Sequence, residues 1–332
     1  MTDHSEAKAS LKQEALRAGI DRQVAHWYLS MPKFDVVVPT FNNVDQLRRC
    51  LASLERQTEG DIRVVVCVDG STDGTFEYLD ALPLELSTLT LEHPDRANRG
   101  RAATRNLALP QIASRYVLLL DSDMVLEPTA IAEHRAVLER GAGASVGSIT
   151  YVNASTNLWA RYLSVRRLNR WPQGAALPWN QFASANAALS SDDFIALRGF
   201  DEAMSGYGGE DTEFGYRLTH ELGRTIRSNP AASAISVEDK SIHTALEQFR
   251  EFGRTNLRYA LTKHPAMPHV FFTDRLGSRR PRDRLFVATM NPITDWVVRL
   301  LLPRVPFSVQ HQLINYAVIR AVCAGFAEGA ES

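Results

Sequence analysis

Nowhere in the 332 residues is there the uninterrupted run of ~18–20 apolar residues that a membrane span needs. The nearest approaches, "WVVRLLLP" and "INYAVIRAVCAGFA", are each broken by arginine and read as packed or partner-facing helices. Excess charge is missing too. Lys+Arg number 37 against 38 Asp+Glu, so no global field draws in nucleic acid or an anionic membrane. Cysteine is scarce: Cys50, Cys67 and Cys323 are odd in number and lack metal-type spacing, which suits free thiols in a reducing compartment. Residues 1–30 have no continuous apolar core and carry Asp3, Glu6 and Glu14, which argues against a signal peptide. No zinc-type spacing and no Ser-His-Asp arrangement presents itself, and the loop "VDGSTDGT" lacks the lysine of a P-loop. These absences predict a cytoplasmic globular protein without a nucleic-acid partner. Peripheral contact with the inner face of a membrane through the C-terminal helices stays open.

What the chain does contain is alternation. The apolar runs 34–39, 62–68, 116–120 and 144–152 and the alternating run 87–92 predict strands. Between them, segments 43–58, 101–112 and 128–140 have helical spacing, with "FEYLDAL" a shorter helix. Strands that are apolar throughout and alternate with helices predict a mainly parallel sheet covered on both faces. In such sheets ligands gather beyond the carboxyl ends of the strands. The polar clusters at 39–43, 69–75 and 121–123 all fall there. Beyond 152 the chain is rich in arginine and tryptophan and less regular, as a binding or lid segment would be. "FASANAALS" then predicts a strand, and a helix opens near Glu210.

Five groups could carry chemistry. Asp121 and Asp123, in "LLLDSDMVLEP", end the most apolar short run. Carboxylates at i and i+2 of an extended chain share a side, and like charges there call for a cation or for solvent. A lone Asp-x-Asp is expected on the order of once by chance in a chain of this size, so its place at a strand end carries the weight. Asp69, beside Gly70 and Gly74, could accept hydrogen bonds from a base or ribose, or decorate a turn. Arg96, Arg99, Arg101 and Arg105 crowd one loop and helix start, fit for phosphate or for solvent. Glu210 and Asp211 open a helix after Gly206, Tyr207, Gly208 and Gly209, where a carboxylate could act as general base or simply meet the helix dipole. His243, in "DKSIHT", is a separated candidate for a third metal ligand.

Taken together, "VVVPTFNN", "VVVCVDGSTDGT", "NRGRAATRNLAL", "VLLLDSDMVLEP" and "GGEDTEFGYRL" resemble, in order and spacing, the family 2 nucleotide-sugar glycosyltransferases. The resemblance covers about residues 34–245. Any one motif is weak; five in order are specific. "GFDEAMSGYGGEDTEFGYRL" also resembles the acceptor-side segment of the β-1,4-galactosyltransferases. The resemblance implies an α/β GT-A (Rossmann-like) fold, a mainly parallel mixed sheet flanked by helices. Residues 33–152 would be the nucleotide-sugar half and 153–245 the acceptor half, between helical extensions at 1–32 and 246–332. It implies that Pro39, Thr40, Asn42 and Asp69 line the nucleoside pocket, that Arg105 meets the diphosphate or sugar, and that Asp121 lies near the ribose or sugar. Asp123 and His243 would ligate Mn²⁺ or Mg²⁺, Asp211 would be the catalytic base, and Tyr207, Gly208, Gly209 and Glu210 would meet the acceptor. The implied partners are a nucleotide-sugar donor, UDP-linked by preference, and a glycan or lipid-linked acceptor.

Some positions depart from that pattern. Tyr207 stands where the galactosyltransferase segment carries tryptophan, and Lys240 where it has a methionine metal ligand. Asp211 stands where a retaining relative would carry asparagine, which favours inversion. Trp159, Trp171, Trp179, Arg161, Arg166 and Arg167 either shape the acceptor side or pack. Two other readings share the fold: a nucleotidyltransferase, which "PTFNNVDQ" supplies with no glycine-rich loop, and a non-catalytic sugar-nucleotide scaffold, against which the intact carboxylates argue.

Overall fold

The computed structural model describes residues 33–82, 87–165, 171–264, 267 and 271–329. The helical extension expected at 1–32 lies outside these, as do Arg166 and Arg167. Nine strands form one sheet: β1 (Phe34–Thr40), β2 (Ile62–Val68), β3 (Ser87–Glu92), β4 (Tyr116–Leu120), β5 (Met124–Leu126), β6 (Ala144–Tyr151), β7 (Ala176–Leu177), β8 (Asn186–Ser190) and β9 (Ile226–Ser236). Their order is β3-β2-β1-β4-β8-β6-β9-β5, with β7 paired to β9.

The all-apolar strands are buried on both faces because successive side chains point to opposite sides. Val36, Val38, Val64, Val66, Leu118 and Leu120 face the helix Val44–Glu55. Val37, Val65 and Leu119 face Phe194, Phe200 and Phe214 on the other side. Each of these twelve side chains is at most 2% exposed.

The β3-β2-β1-β4 half of the main path is wholly parallel, within the mainly parallel mixed sheet that was expected. β8 runs antiparallel to β4 and β6, β5 runs antiparallel to β9, and β6 pairs parallel with β9. The repeating strand–helix–strand pattern, which enforces parallel pairing, stops after β4. Strand β9 has no counterpart in the sequence reading. Pro230 interrupts its pattern, and a proline argues against a central strand. The register slips beside it, between Gly147 and Ser148 of β6, and the Ser148 hydroxyl donates to the Pro230 carbonyl at 2.9 Å. Gly147 leaves no room for a side chain against the Ala232 carbonyl.

Smaller differences have local causes. The helix expected over 101–112 ends at Asn106, and a 3₁₀ turn follows at Leu109–Gln111 around Pro110. Within the segment read as irregular, Leu158–Ser164 is helical, and the Asn157 side chain caps it by accepting from the amides of Trp159 and Ala160. The boundary expected near 245 falls inside the helix Ile242–Arg254. That helix packs along Phe307–Glu328, where Gly253 and Gly325 let the two backbones touch. The three thiols are free and buried.

Asp35, fully buried in β1, ties the sheet to the loop before β4. Its carboxylate accepts from Arg63 Nε at 2.7 Å and from the amides of Ala113 and Ser114 at 2.8 and 3.1 Å. Removing one partner of such a pair leaves buried donors unpaired. Asp35→Ala is therefore expected to lower the unfolding free energy by about 3 kcal/mol, read from the shift of a denaturant midpoint at unchanged slope.

Candidate active site

The carboxyl ends of β1, β2 and β4 open into one cleft of about 720 Å³. Pro39 and Thr40 end β1, Asp69 follows β2, and Asp121, Ser122 and Asp123 follow β4; all of them line the cleft. Asp69 is buried and holds the arginine-rich loop in place, accepting from the amides of Arg99 at 2.7 Å and Gly100 at 3.2 Å. The Thr40 hydroxyl donates to Asn43 Oδ1 at 2.5 Å, and Asn43 Nδ2 donates to Ser122 Oγ at 2.6 Å, so the first and third strand ends are stitched together. Asn42 does not line the cleft. Its backbone is left-handed (φ 48°), and its side chain turns to the neighbouring loop, accepting from the Thr72 amide at 2.7 Å.

At the back of the cleft sits Arg105, the largest fully buried side chain among the described residues. Its guanidinium donates to Asp121 Oδ1 at 2.7 Å and to Glu210 Oε1 at 3.4 Å, lies 5.2 Å from the Phe200 ring centre, and leaves Nε without a partner. Burial works against its charge, but Asp121, Asp211 and Glu210 overcome this and hold it firmly cationic. Asp123 has no such counter-ion. Burial, then the nearby Asp121 and Glu238 carboxylates, push it up to about 7, against one hydrogen bond from Ser236 at 3.1 Å.

The opposite wall comes from the helix Glu210–His220, the loop before it and the segment after β9. Asp211 lines the cleft, and its Oδ1 is buried without a partner. Burial first, then Glu210, push its carboxyl up to about 6, with Arg105 opposing. Tyr207 is flanked by two cations: the Arg101 guanidinium lies 4.7 Å and Lys240 Nζ 5.5 Å from its ring centre. Lys240 also pairs with Glu238 at 2.7 Å. Gly208 and Gly209 adopt left-handed backbone (φ 75° and 90°) that starts the helix, and Gly209 has no space for a side chain against Phe252. These glycines serve the turn, and neither lines the cleft. Glu210 lies behind Arg105, only 5% exposed.

His243 is not brought to the acidic pair. It sits in the first turn of the helix Ile242–Arg254 with its side chain 69% exposed, 3.4 Å from Glu247, and away from the cleft lining. Among the described residues no three His, Cys, Asp or Glu side chains are close enough to hold an ion alone. Sequence reasoning missed Asn43, Ser122, Ser236 and Glu238. Glu238 lies two residues past the end of β9, so recognising that strand would have nominated it.

Of the tryptophans, Trp159 reaches the cleft while packing in an aromatic cluster with Tyr162 and Phe249. Trp179 packs edge-on against Tyr216, and Trp171 packs against the core. Arg161 lies over the Phe307 ring at 4.1 Å. Packing therefore accounts for most of this group.

Residues 35–190 match the family model for glycosyl transferase family 2, and residues 169–239 match the N-terminal domain of galactosyltransferase. Both matches fall where the motifs had pointed. Validoxylamine A glucosyltransferase of Streptomyces hygroscopicus subsp. jinggangensis is 28% identical over 281 residues, covering 73% of this chain and 64% of that protein. Chondroitin synthase of Escherichia coli is 28% identical over 239 residues, covering 61% of this chain and 34% of its own. The chain thus spans less than two-thirds of the length of these relatives. Among solved structures, the mannosyltransferase PcManGT of Pyrobaculum calidifontis, in complex with GDP-Man and Mn²⁺, superposes with a TM-score of 0.56 at 17% identity, covering 97% of this chain and 95% of that one. S. aureus TarS in complex with UDP gives 0.53 at 17% identity, covering 90% and 91%. The fold is the GT-A arrangement these structures share.

The buried position of Arg105 sets a measurable cost. Arg105→Leu leaves Asp121 and Glu210 uncompensated and is expected to lower the unfolding free energy by about 3 kcal/mol. Arg101→Leu, at an exposed site, should lower it by less than about 1 kcal/mol. Denaturant titration of both variants in parallel checks the contrast.

Proposed function

Residues 35–190 carry the match to glycosyl transferase family 2, and from that premise we propose that the chain is an inverting glycosyltransferase. It would move a sugar from a nucleoside-diphosphate sugar, UDP-linked by preference, to a hydroxyl of a glycan or a lipid-linked acceptor. One observation carries the reading. Asp211, raised to about 6 and with a buried, unpartnered oxygen, faces the same cleft as the acidic pair at the end of β4. Such a carboxyl is ionised at neutral pH yet basic enough to take a proton from a hydroxyl as that hydroxyl attacks.

In this reading Pro39, Thr40 and Asp69 form the nucleoside end. Asp69 fixes the Arg99–Gly100 backbone against it. Arg105 is already committed to Asp121 and Glu210, so it orients those carboxylates rather than reaching the diphosphate. The other cations that line the cleft are Arg101 and Lys240. Asp211 accepts the acceptor proton while the acceptor oxygen bonds to the anomeric carbon. The bond to the diphosphate breaks, and its electron pair leaves on the phosphate oxygen. Attack opposite to the leaving group inverts the anomeric centre in one step.

The donor set fits a hard divalent cation. Asp121 and Asp123 offer carboxylate oxygens, and Asp123 lacks a counter-ion. With His243 outside the cleft, Asp123 with Asp121 would hold Mn²⁺ or Mg²⁺, and the remaining positions would fall to donor phosphate and water. When bound, the ion offsets the charge that develops on the diphosphate.

A thermal-shift panel of nucleotide sugars with Mn²⁺, Mg²⁺ or chelator tests donor and metal together. A metal-dependent rise with one donor is expected, and it should vanish in Asp123→Ala. A rise that persists unchanged in chelator and in Asp123→Ala would remove the metal site. Asp211→Asn is expected to keep the donor-induced shift and to lose at least ~10²-fold in turnover. The deprotonated carboxylate is the active form, so kcat/KM should fall as the pH drops through about 6. That acid limb should be absent from the residual activity of Asp211→Asn; if it persists unchanged, another group is the base.

A further inference from the structure

A helix at the surface of a globular protein ordinarily turns its apolar stripe inward and its charges outward. The helix Pro292–Leu301 does the reverse. Ile293, Trp296, Val297, Leu300 and Leu301 fall on one helical face, and they are 74%, 63%, 36%, 40% and 39% exposed. The inward side holds Val298 and the carboxylate of Asp295, which pairs with Arg299 at 3.1 Å and with Arg320 of the long C-terminal helix at 2.5 Å. The helix is locally well made, with Asn291 Oδ1 accepting from the Thr294 amide and proline in its first turn. Its orientation is fixed by the Asp295–Arg320 pair, so the apolar face is held out in solvent. Leu285, on the preceding helix Pro281–Ala288, is 71% exposed as well.

Charge says what this face fits. Residues 275–304 hold seven arginines, two aspartates and neither lysine nor glutamate. Both aspartates are already used, Asp295 as above and Asp283 by Arg275, Arg282 and the Ser278 hydroxyl. Arg279, Arg280 and Arg284 are exposed and form no ion pair among the described residues. We propose that this segment docks the protein on an anionic lipid bilayer, with the Ile293–Leu301 face at the acyl boundary and the arginines on headgroup phosphates. Tryptophan and arginine are suited to that interface, and arginine pairs bidentately with phosphate. A second copy of this chain is the poorer occupant, because a self-complementary contact would bring arginine against arginine. No helix among the described residues is long and apolar enough to cross a membrane, so the segment lies on the surface. This inference goes beyond the proposed reaction and does not depend on it.

Vesicle co-sedimentation of the full chain tests the inference, with equimolar phosphatidylglycerol and phosphatidylcholine against phosphatidylcholine alone. Association with the anionic vesicles is expected, at least ~10-fold weaker with the neutral ones and in high salt, since each arginine contributes roughly five-fold. Trp296→Glu and the triple variant Arg279→Glu, Arg280→Glu, Arg284→Glu should each abolish it with an unchanged melting temperature, because all four side chains are exposed. Failure to sediment with either vesicle, or undiminished binding by both variants, overturns the proposal. So does an oligomer in gel filtration that Trp296→Glu dissociates, which would assign the face to a second copy.

Discussion

A single buried cation holds the cleft together. Arg105 comes from the helix after the arginine-rich loop, yet its guanidinium bonds Asp121 beyond β4 and Glu210 at the head of a distant helix. Two halves of the chain, about 90 residues apart in sequence, thereby share one charge. Isolated in an apolar surrounding, either carboxylate would cost several kcal/mol to keep ionised. Around Arg105 the cost is shared, and two carboxylates outside its direct reach have a raised proton affinity. Asp211, next to Glu210, and Asp123, two residues from Asp121, both lack a direct hydrogen bond from the guanidinium. The same residue that stabilises one pair thus leaves the other pair poised.

The scaffold keeps that arrangement from relaxing. The helix that presents Glu210 and Asp211 is anchored one turn on by Glu213 and Arg217, a buried pair whose guanidinium also donates to the carbonyls of Leu197 and Gly199. His264 and Lys263 add to Glu213 from the following helices. On the other wall, Thr40, Asn43 and Ser122 link the ends of β1 and β4, and Asp69 fixes the loop that leads to Arg101 and Arg105. Side chains that approach a substrate are therefore positioned by groups that do not. Preorganised charge of this kind costs no rearrangement when charge develops in a reaction.

The C-terminal helices add a separate physical theme. The helix Ile242–Arg254 both closes the cleft, through Phe249, and packs along Phe307–Glu328 by glycine-mediated backbone contact. The outward apolar face of Pro292–Leu301 is thus rigidly connected to the wall of the cleft rather than tethered by a linker. Whatever meets that face also fixes the direction in which the cleft opens.

Strand positions, and the ends at which ligands gather, were legible because they depend on local apolar runs. β2, β3 and β4 were read to the residue, and Asp69, Asp121 and Asp123 followed from their ends. Strand β9 was not, since Pro230 breaks its pattern and the bulge that admits it, residues 230–232 opposite the Gly147–Ser148 step, needs β6 as a partner. Hence Ser236 and Glu238 stayed hidden, and His243 was given a place that the geometry assigns to solvent. The antiparallel pairings of β8 and β5, the burial of Arg105 and the outward face of Ile293–Leu301 could not be read from spacing at all. Sequence by itself determined which segments are strands and which chemistry their ends can offer, because periodicity and residue type act over a few residues. Tertiary structure alone decided which charges meet and which apolar face stays uncovered, because both depend on partners far away along the chain.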